Sequence, residues 1–127
     1  MKTIVLGSSM KFRSIVKDVL KELKTLGFNA VFPNIGCSNL NSDIAKTAKE
    51  KKQMAFEHYK VIEKADAVYF ILPNGYMGTS CKIELGYALA YEKPIYFSEL
   101  TNQADLDCYI KKIIPLDKLE LFKKEDI

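Results

Sequence analysis

The stretch ADAVYFILPNGYMGTSCKIELGYALAYEKPIYFSEL, residues 65–100, decides how the rest of the chain is arranged. Ala67 to Leu72 is a continuous apolar run closed by Pro73, the pattern of a strand covered on both faces. Asn74, Gly75, Gly78, Thr79 and Ser80 follow as a loop, with Thr79 or Ser80 expected to cap the next helix. From Ile83 to Tyr91 every side chain is apolar or aromatic except Glu84, and Pro94 to Phe97 then reads as a second buried strand. Strand, glycine-bearing loop, apolar helix and strand make one unit of a parallel sheet.

Glu84 is the exception that carries information. The positions three and four residues away are Ser80, Cys81, Tyr87 and Ala88, so no cation on its own helix pairs with it. A buried carboxylate without a partner is costly. Burial disfavours its charged form, while the helix N-terminus one turn away favours it. Open α/β sheets place chemistry at such strand-to-helix loops, so Glu84 is the candidate catalytic residue. The competing reading is a glutamate that reaches solvent or pairs with a distant Lys or Arg.

Upstream, Thr3 to Leu6 is a short apolar strand ending at Gly7-Ser8-Ser9, and a helix is expected from about Lys11 to Leu26. Its apolar stripe runs through Phe12, Ile15, Val16, Val19, Leu20, Leu23 and Leu26, and Gly27 stops it. Asn29 to Phe32 is the second strand, ended by Pro33, with a loop from Pro33 to Asn41. Ser42 or Asp43 is expected to cap a long second helix ending near Lys64, with a seam through Ile44, Ala48, Ala55, Tyr59 and Ile62. Downstream, Thr101 to Asp107 is polar, Tyr109 to Leu116 is expected to hold a short helix and a fifth strand, and Asp117 to Ile127 a terminal amphipathic helix.

The expected fold is α/β: one domain over residues 1–127, a five-stranded parallel sheet with helices on both faces, flavodoxin-like or Rossmann-like in order. Strands 1 and 3 then lie side by side, and Gly7-Ser8-Ser9 faces Asn74–Ser80 across one crevice. Backbone N–H groups and hydroxyls at Gly7, Ser8 and Ser9 offer a place for a phosphate or sugar hydroxyl; an ordinary turn reads the same locally. Tyr76 sits in the opposite loop, where a planar ligand could stack on it.

Composition narrows the classes of function. The net charge of +3 comes mostly from Lys46, Lys49, Lys51 and Lys52, which read as the solvated face of a helix. Arg13 is the sole arginine, so nucleic acid is not an expected partner. Three cysteines, Cys37, Cys81 and Cys108, show no metal-ligand spacing and are expected buried and free in a reducing, cytoplasmic setting. The opening MKTIVLG enters a strand at once, so neither a signal peptide nor a membrane span is expected. The first loop is not GxGxxG, no acidic residue ends strand 2, and no P-loop occurs, which argues against a dinucleotide cofactor of the dehydrogenase type. No cofactor or metal is expected. The single histidine, His58, reads as a surface or helix-packing residue, Asp66 as a junction residue, and nothing supports a triad through Ser8 or Ser9.

NGYMGTSCKIELGYALAYEKPIYF resembles the signature of the nucleoside 2-deoxyribosyltransferase-like superfamily, in which a Gly-Thr loop precedes a helix reading Glu-Leu-Gly-Tyr-Ala. Gly7-Ser8-Ser9 with Phe12, and Pro33 after strand 2, are similar to it as well. The resemblance implies a five-stranded parallel sheet and cleavage of an N-glycosidic bond in a small-molecule nucleoside or nucleotide. Glu84 is then the nucleophile that attacks the anomeric carbon, and the retained glycosyl group passes to another base or to water. It implies substrate contacts at Gly7, Ser8, Ser9, Phe12, Asn74, Gly75, Tyr76, Gly78 and Thr79. Where the transferases usually carry an aspartate before the Gly-Thr, Tyr76-Met77 stands here. Two alternatives follow: a non-catalytic nucleotide-binding or regulatory module, and an NAD-cleaving domain of the Toll/interleukin-receptor-like type. Because helix 3 is apolar nearly all round, a homodimer or higher homo-oligomer is expected through it. The competing arrangement has helix 2 and the tail cover that face within one chain.

Overall fold

A computed structural model describes residues 1–33 and 47–127. The expected loop from Pro33 to Asn41, the cap at Ser42 or Asp43, and Cys37, Ile44 and Lys46 fall outside these residues, Pro33 apart. Five strands, β1 (Thr3–Gly7), β2 (Asn29–Val31), β3 (Ala67–Phe70), β4 (Ile95–Phe97) and β5 (Lys112–Ile113), form one sheet in the order β2-β1-β3-β4-β5. Every pairing is parallel. The flavodoxin-like order and the adjacency of strands 1 and 3 are as expected.

The alternation of side chains along the central strands divides the core in two. Ile4, Leu6, Tyr69, Ile71 and Tyr96 face α1 (Arg13–Thr25) and the C-terminal segment. Val5, Val68, Phe70, Leu72, Ile95 and Phe97 face α2 (Ala48–Glu63) and α3 (Thr79–Ala90). All of β3 is inaccessible to solvent, and each large apolar side chain so buried contributes roughly 1.5–3 kcal/mol. Tyr69 is tolerated there because its hydroxyl donates to the Ile114 carbonyl.

Gly27, at φ 97°, ends α1 in a Schellman arrangement: Phe28 N–H reaches Leu23 O and Gly27 N–H reaches Lys24 O, both at 3.0 Å. Asp66 ties the third strand to the first, its Oδ2 accepting from Thr3 N–H at 2.7 Å, as expected of a junction residue. Lys49, Lys51 and Lys52 are exposed on α2, the solvated face read from the charge run.

Several local expectations are corrected. A 3-10 turn over Met10–Phe12 precedes α1, which begins at Arg13 rather than Lys11. α2 begins at Ala48, because Thr47 is extended and its hydroxyl accepts from Glu50 N–H. Gly78, not Thr79 or Ser80, is the N-cap of α3; Thr79 already has helical geometry, and Gly78 O accepts from Lys82 N–H at 3.1 Å. The short helix, α4 (Ala104–Asp107), lies before Tyr109, inside the segment noted as polar rather than in Tyr109–Leu116. The Asp107 carboxylate organises it by accepting from Thr101 N–H, Thr101 Oγ1 and Asn102 N–H. The tail is a 3-10 helix, Leu116–Lys124, kinked at Lys118; its three-residue period puts Leu119 and Phe122 on one buried face. Cys81 is buried as expected, whereas Cys108 is exposed.

Candidate active site

β1 and β3 end side by side where the order of the sheet reverses, the place at which open α/β sheets bind ligands. Gly7, the last residue of β1, continues the Val5 face and so looks toward α3. A Cβ on Gly7 would lie 2.6 Å from the Phe70 ring and 3.4 Å from Glu84 Oε1. Glycine here lets the strand end pass beneath the carboxylate.

Glu84 belongs to the buried stripe of α3, together with Cys81, Leu85 and Ala88. The residue is 8% exposed, and among the described residues its Oε1 is a buried polar atom with no hydrogen-bond partner. Burial pushes its pKa up to about 8, with the Lys51 charge pulling the other way. Among the described residues, no Lys or Arg is in contact with this buried residue. Its partner is His58, whose Nδ1 lies 3.3 Å from Oε2.

Of the two readings of His58, the surface one is set aside and the helix-packing one holds: it is buried on α2 against α3, and its Nε2 sits 3.1 Å from the Leu6 carbonyl oxygen. The Phe32 ring packs edge-on against the imidazole at 5.7 Å. Burial pushes its pKa down to about 4, partly offset by the bond to Leu6. A signal existed: His58 is four residues before Ile62 and three after Ala55, on the seam already drawn.

The two loops over the crevice meet at aromatic rings. Phe12, from the β1 side, packs edge-on against Tyr76 at 6.1 Å, and Lys11 Nζ stands 3.6 Å above the Tyr76 ring. Ser8 is buried and its hydroxyl donates to Ile71 O at 2.8 Å, which joins the first loop to the end of β3. Ser9 carries no side-chain cap bond, and its carbonyl accepts from Phe12 N–H. Asn74 and Gly75 both have positive φ, 59° and 73°, and a Cβ on Gly75 would lie 2.6 Å from Leu100 O. Asn74 N–H donates to Glu99 Oε1, and Leu72 N–H to the buried Ser98 Oγ, so the loop is anchored to the end of β4. Gly78 adjoins the Tyr76 ring, and Thr79 is exposed. Gly7 is thus brought against Glu84 and Phe12 against Tyr76, while Gly75 is turned toward Leu100.

Tyr87 lies between α2 and α3, stacked on Tyr59 at 4.6 Å and beside Tyr91 at 5.0 Å, with its hydroxyl donating to Glu63. The C-terminal segment packs on the opposite face of the sheet with α1. Phe56, Ile83 and Tyr91 remain about half exposed in the single chain. No helix among the described residues is long and apolar enough to cross a membrane.

A five-stranded parallel α/β sheet in the order β2-β1-β3-β4-β5 defines the fold class. The chain belongs to the nucleoside 2-deoxyribosyltransferase family, whose model matches residues 6–112. Its fold is similar to that of the 2-deoxyribosyltransferase from the psychrotolerant bacterium Bacillus psychrosaccharolyticus, at 20% identity and TM-score 0.66, covering 93% of this chain and 90% of that one. It is also similar to a conserved protein from Enterococcus faecalis V583, at 10% identity and TM-score 0.58, covering 96% and 99%. No curated protein matches the sequence.

Proposed function

We propose that this protein cleaves the N-glycosidic bond of a nucleoside or nucleotide, with Glu84 as the nucleophile. The observation that carries the reading is Glu84 Oε1, buried and without a partner among the described residues, above a strand end that only glycine fits. Departure of a base leaves an oxocarbenium-like, cationic sugar, and a fixed carboxylate in a dry site both stabilises and captures it. Oε1 bonds to the anomeric carbon as the carbon–nitrogen pair leaves with the base. A second base or water then releases the sugar. Tyr76 and Phe12 offer aromatic surface for the base at the mouth of the crevice.

The test is incubation with deoxynucleosides, their 5′-monophosphates and NAD, with and without a second free base, and chromatography of the products. Release or exchange of base that is lost at least about 1,000-fold in Glu84→Ala is expected, the scale on which covalent nucleophiles act. No release from any substrate, or a Glu84→Ala variant equal to wild type, overturns the reading. Ligand-dependent thermal stabilisation without turnover would instead identify a binding module, a reading favoured by Tyr76-Met77 standing in place of the aspartate. Cleavage of NAD alone would point to the Toll/interleukin-receptor-like activity.

A further inference from the structure

A nucleophile held at Glu84 faces a protonation problem. Burial raises its pKa to about 8, so near neutrality the isolated group keeps its proton and offers no anion to a cationic anomeric carbon. The geometry of His58 bears on this directly. Its Nε2 points at the Leu6 carbonyl oxygen, which can only accept, so Nε2 carries a hydrogen. Nδ1 therefore turns a lone pair, or a second hydrogen, toward Glu84 Oε2 at 3.3 Å. One proton lies on that line, on the oxygen or on the nitrogen. The other carboxylate oxygen, Oε1, stays clear of it and faces the end of β1.

We propose that His58 is a positioning residue that stores the proton of the nucleophile: at rest the proton sits on Oε2, and it crosses to Nδ1 as Oε1 bonds to the anomeric carbon. This role rests on the reading of Glu84 as the nucleophile. In the first step the Oε1–carbon bond forms, the carbon–nitrogen pair leaves with the base, and the Oε2 proton becomes the Nδ1 proton of an imidazolium. The departing base takes a proton from water. In the second step water or another base attacks the carbon, the Oε1–carbon bond breaks, and the proton returns from Nδ1 to Oε2. The attacking molecule's own proton goes to solvent and restores the balance. Net charge on the pair is zero before attack and after release and +1 only while the glycosyl ester lasts, so the site never holds an isolated anion and bears the imidazolium only transiently.

The surroundings leave this exchange to the two residues. Among the described residues, the titratable or charged groups that interact with Glu84 are His58, Lys51 and Tyr59 from α2 and Cys81 from its own helix. Lys51 favours the ionised carboxyl, while burial and the Glu84 charge push Tyr59 and Cys81 up, away from proton exchange near neutrality. The strands contribute Leu6, Gly7 and Phe70, none of them titratable. Phe32 and the Leu6 bond hold the ring, so the opposite tautomer would sacrifice a buried hydrogen bond.

His58 is the sole histidine, so nitrogen-15 NMR of histidine-labelled protein reads this ring alone. A neutral ring with hydrogen on Nε2 through pH 5 to 7 is expected at about 25 °C; hydrogen on Nδ1 alone, or titration at the ordinary histidine value of about 6.5, overturns the proposal. The kinetic arm compares wild type with His58→Gln, whose amide fills the space but accepts no proton. Wild-type kcat/KM is expected to be level from about pH 5 to 8. The variant must ionise Glu84 first and should fall about tenfold per pH unit below about 8, about 100-fold down at pH 6 and recovering toward pH 9. A loss equal at every pH, or none, overturns the storage role while leaving Glu84 as nucleophile. No base release by the wild type overturns the nucleophile reading and this role together.

Discussion

Gly7 and Glu84 are 77 positions apart in sequence, yet a methyl group on the first would come within 3.4 Å of the carboxylate oxygen of the second. That closeness binds the end of β1 to the buried face of α3. The same hypothetical methyl meets the Phe70 ring at 2.6 Å, a separation real Cβ atoms do not adopt. Gly7→Ala is therefore expected to lower stability by about 1–3 kcal/mol, the range for overpacking a dense core. It should also reduce any glycosidic activity more than the stability loss alone explains. Urea unfolding followed by tryptophan-free circular dichroism, together with kcat, checks both; an unchanged midpoint would contradict the tight approach.

The Glu84–His58 pair sets a pH dependence whose sign can be worked out. Glu84 is raised from 4.5 to about 8, so the folded state holds a proton that the unfolded chain releases, and stability falls as pH rises across that interval. His58 is lowered from 6.5 to about 4, so the unfolded chain holds the proton, and stability falls as pH drops across that interval. Between 4.5 and 6.5 the two slopes cancel. Above 6.5 only Glu84 acts, and wild type should lose roughly 2 kcal/mol by pH 8. Glu84→Gln should lack that decline. Denaturation midpoints at pH 6 and 8 decide it, and a parallel decline in both proteins would refute the assignment.

Gly75 tests whether the second loop is held by backbone geometry. It has φ 73° and lies under the Leu100 carbonyl, where a Cβ would be 2.6 Å from the oxygen. Gly75→Ala meets both penalties and is expected to cost about 2 kcal/mol or more. Because Tyr76 follows directly, the variant should also weaken binding of any base that stacks there. Calorimetry and ligand titration would show this; a change in Tm below a degree would speak against it.

The exposed aromatic face of α2 and α3 bears on assembly. Tyr59 covers one side of Tyr87, but Phe56, Ile83 and Tyr91 remain about half exposed, and the C-terminal segment lies on the other face of the sheet. A dimer or larger homo-oligomer through this face is expected. Light scattering during size exclusion at low micromolar concentration should give a multiple of 14.4 kDa, and Tyr91→Lys should lower it. A monomer mass for the wild type would sink the idea.

Much of the fold was legible because it depends on local periodicity. The apolar run Ala67–Leu72, the stripe of α1 and the stop at Gly27 each follow from side-chain pattern and backbone sterics within a few residues. Glu84 stood out for the same reason, as one carboxylate in an apolar helix. Boundaries were less legible: α3 caps at Gly78, and α4 forms in the polar segment before Tyr109 rather than after it, because Asp107 gathers three hydrogen bonds from Thr101 and Asn102.

By itself, then, the sequence determined the alternation of strands and helices, the crossover rule that makes the sheet parallel, and the solitary carboxylate at its centre. Only the tertiary structure decided what that carboxylate faces. His58 precedes Glu84 by 26 positions, on another helix, and neither periodicity nor spacing connects them. The packing of α2 and α3 on one face of the sheet sets Nδ1 and Oε2 3.3 Å apart. Burial, a property of the whole fold, then moves both groups from their ordinary pKa values, Glu84 up and His58 down.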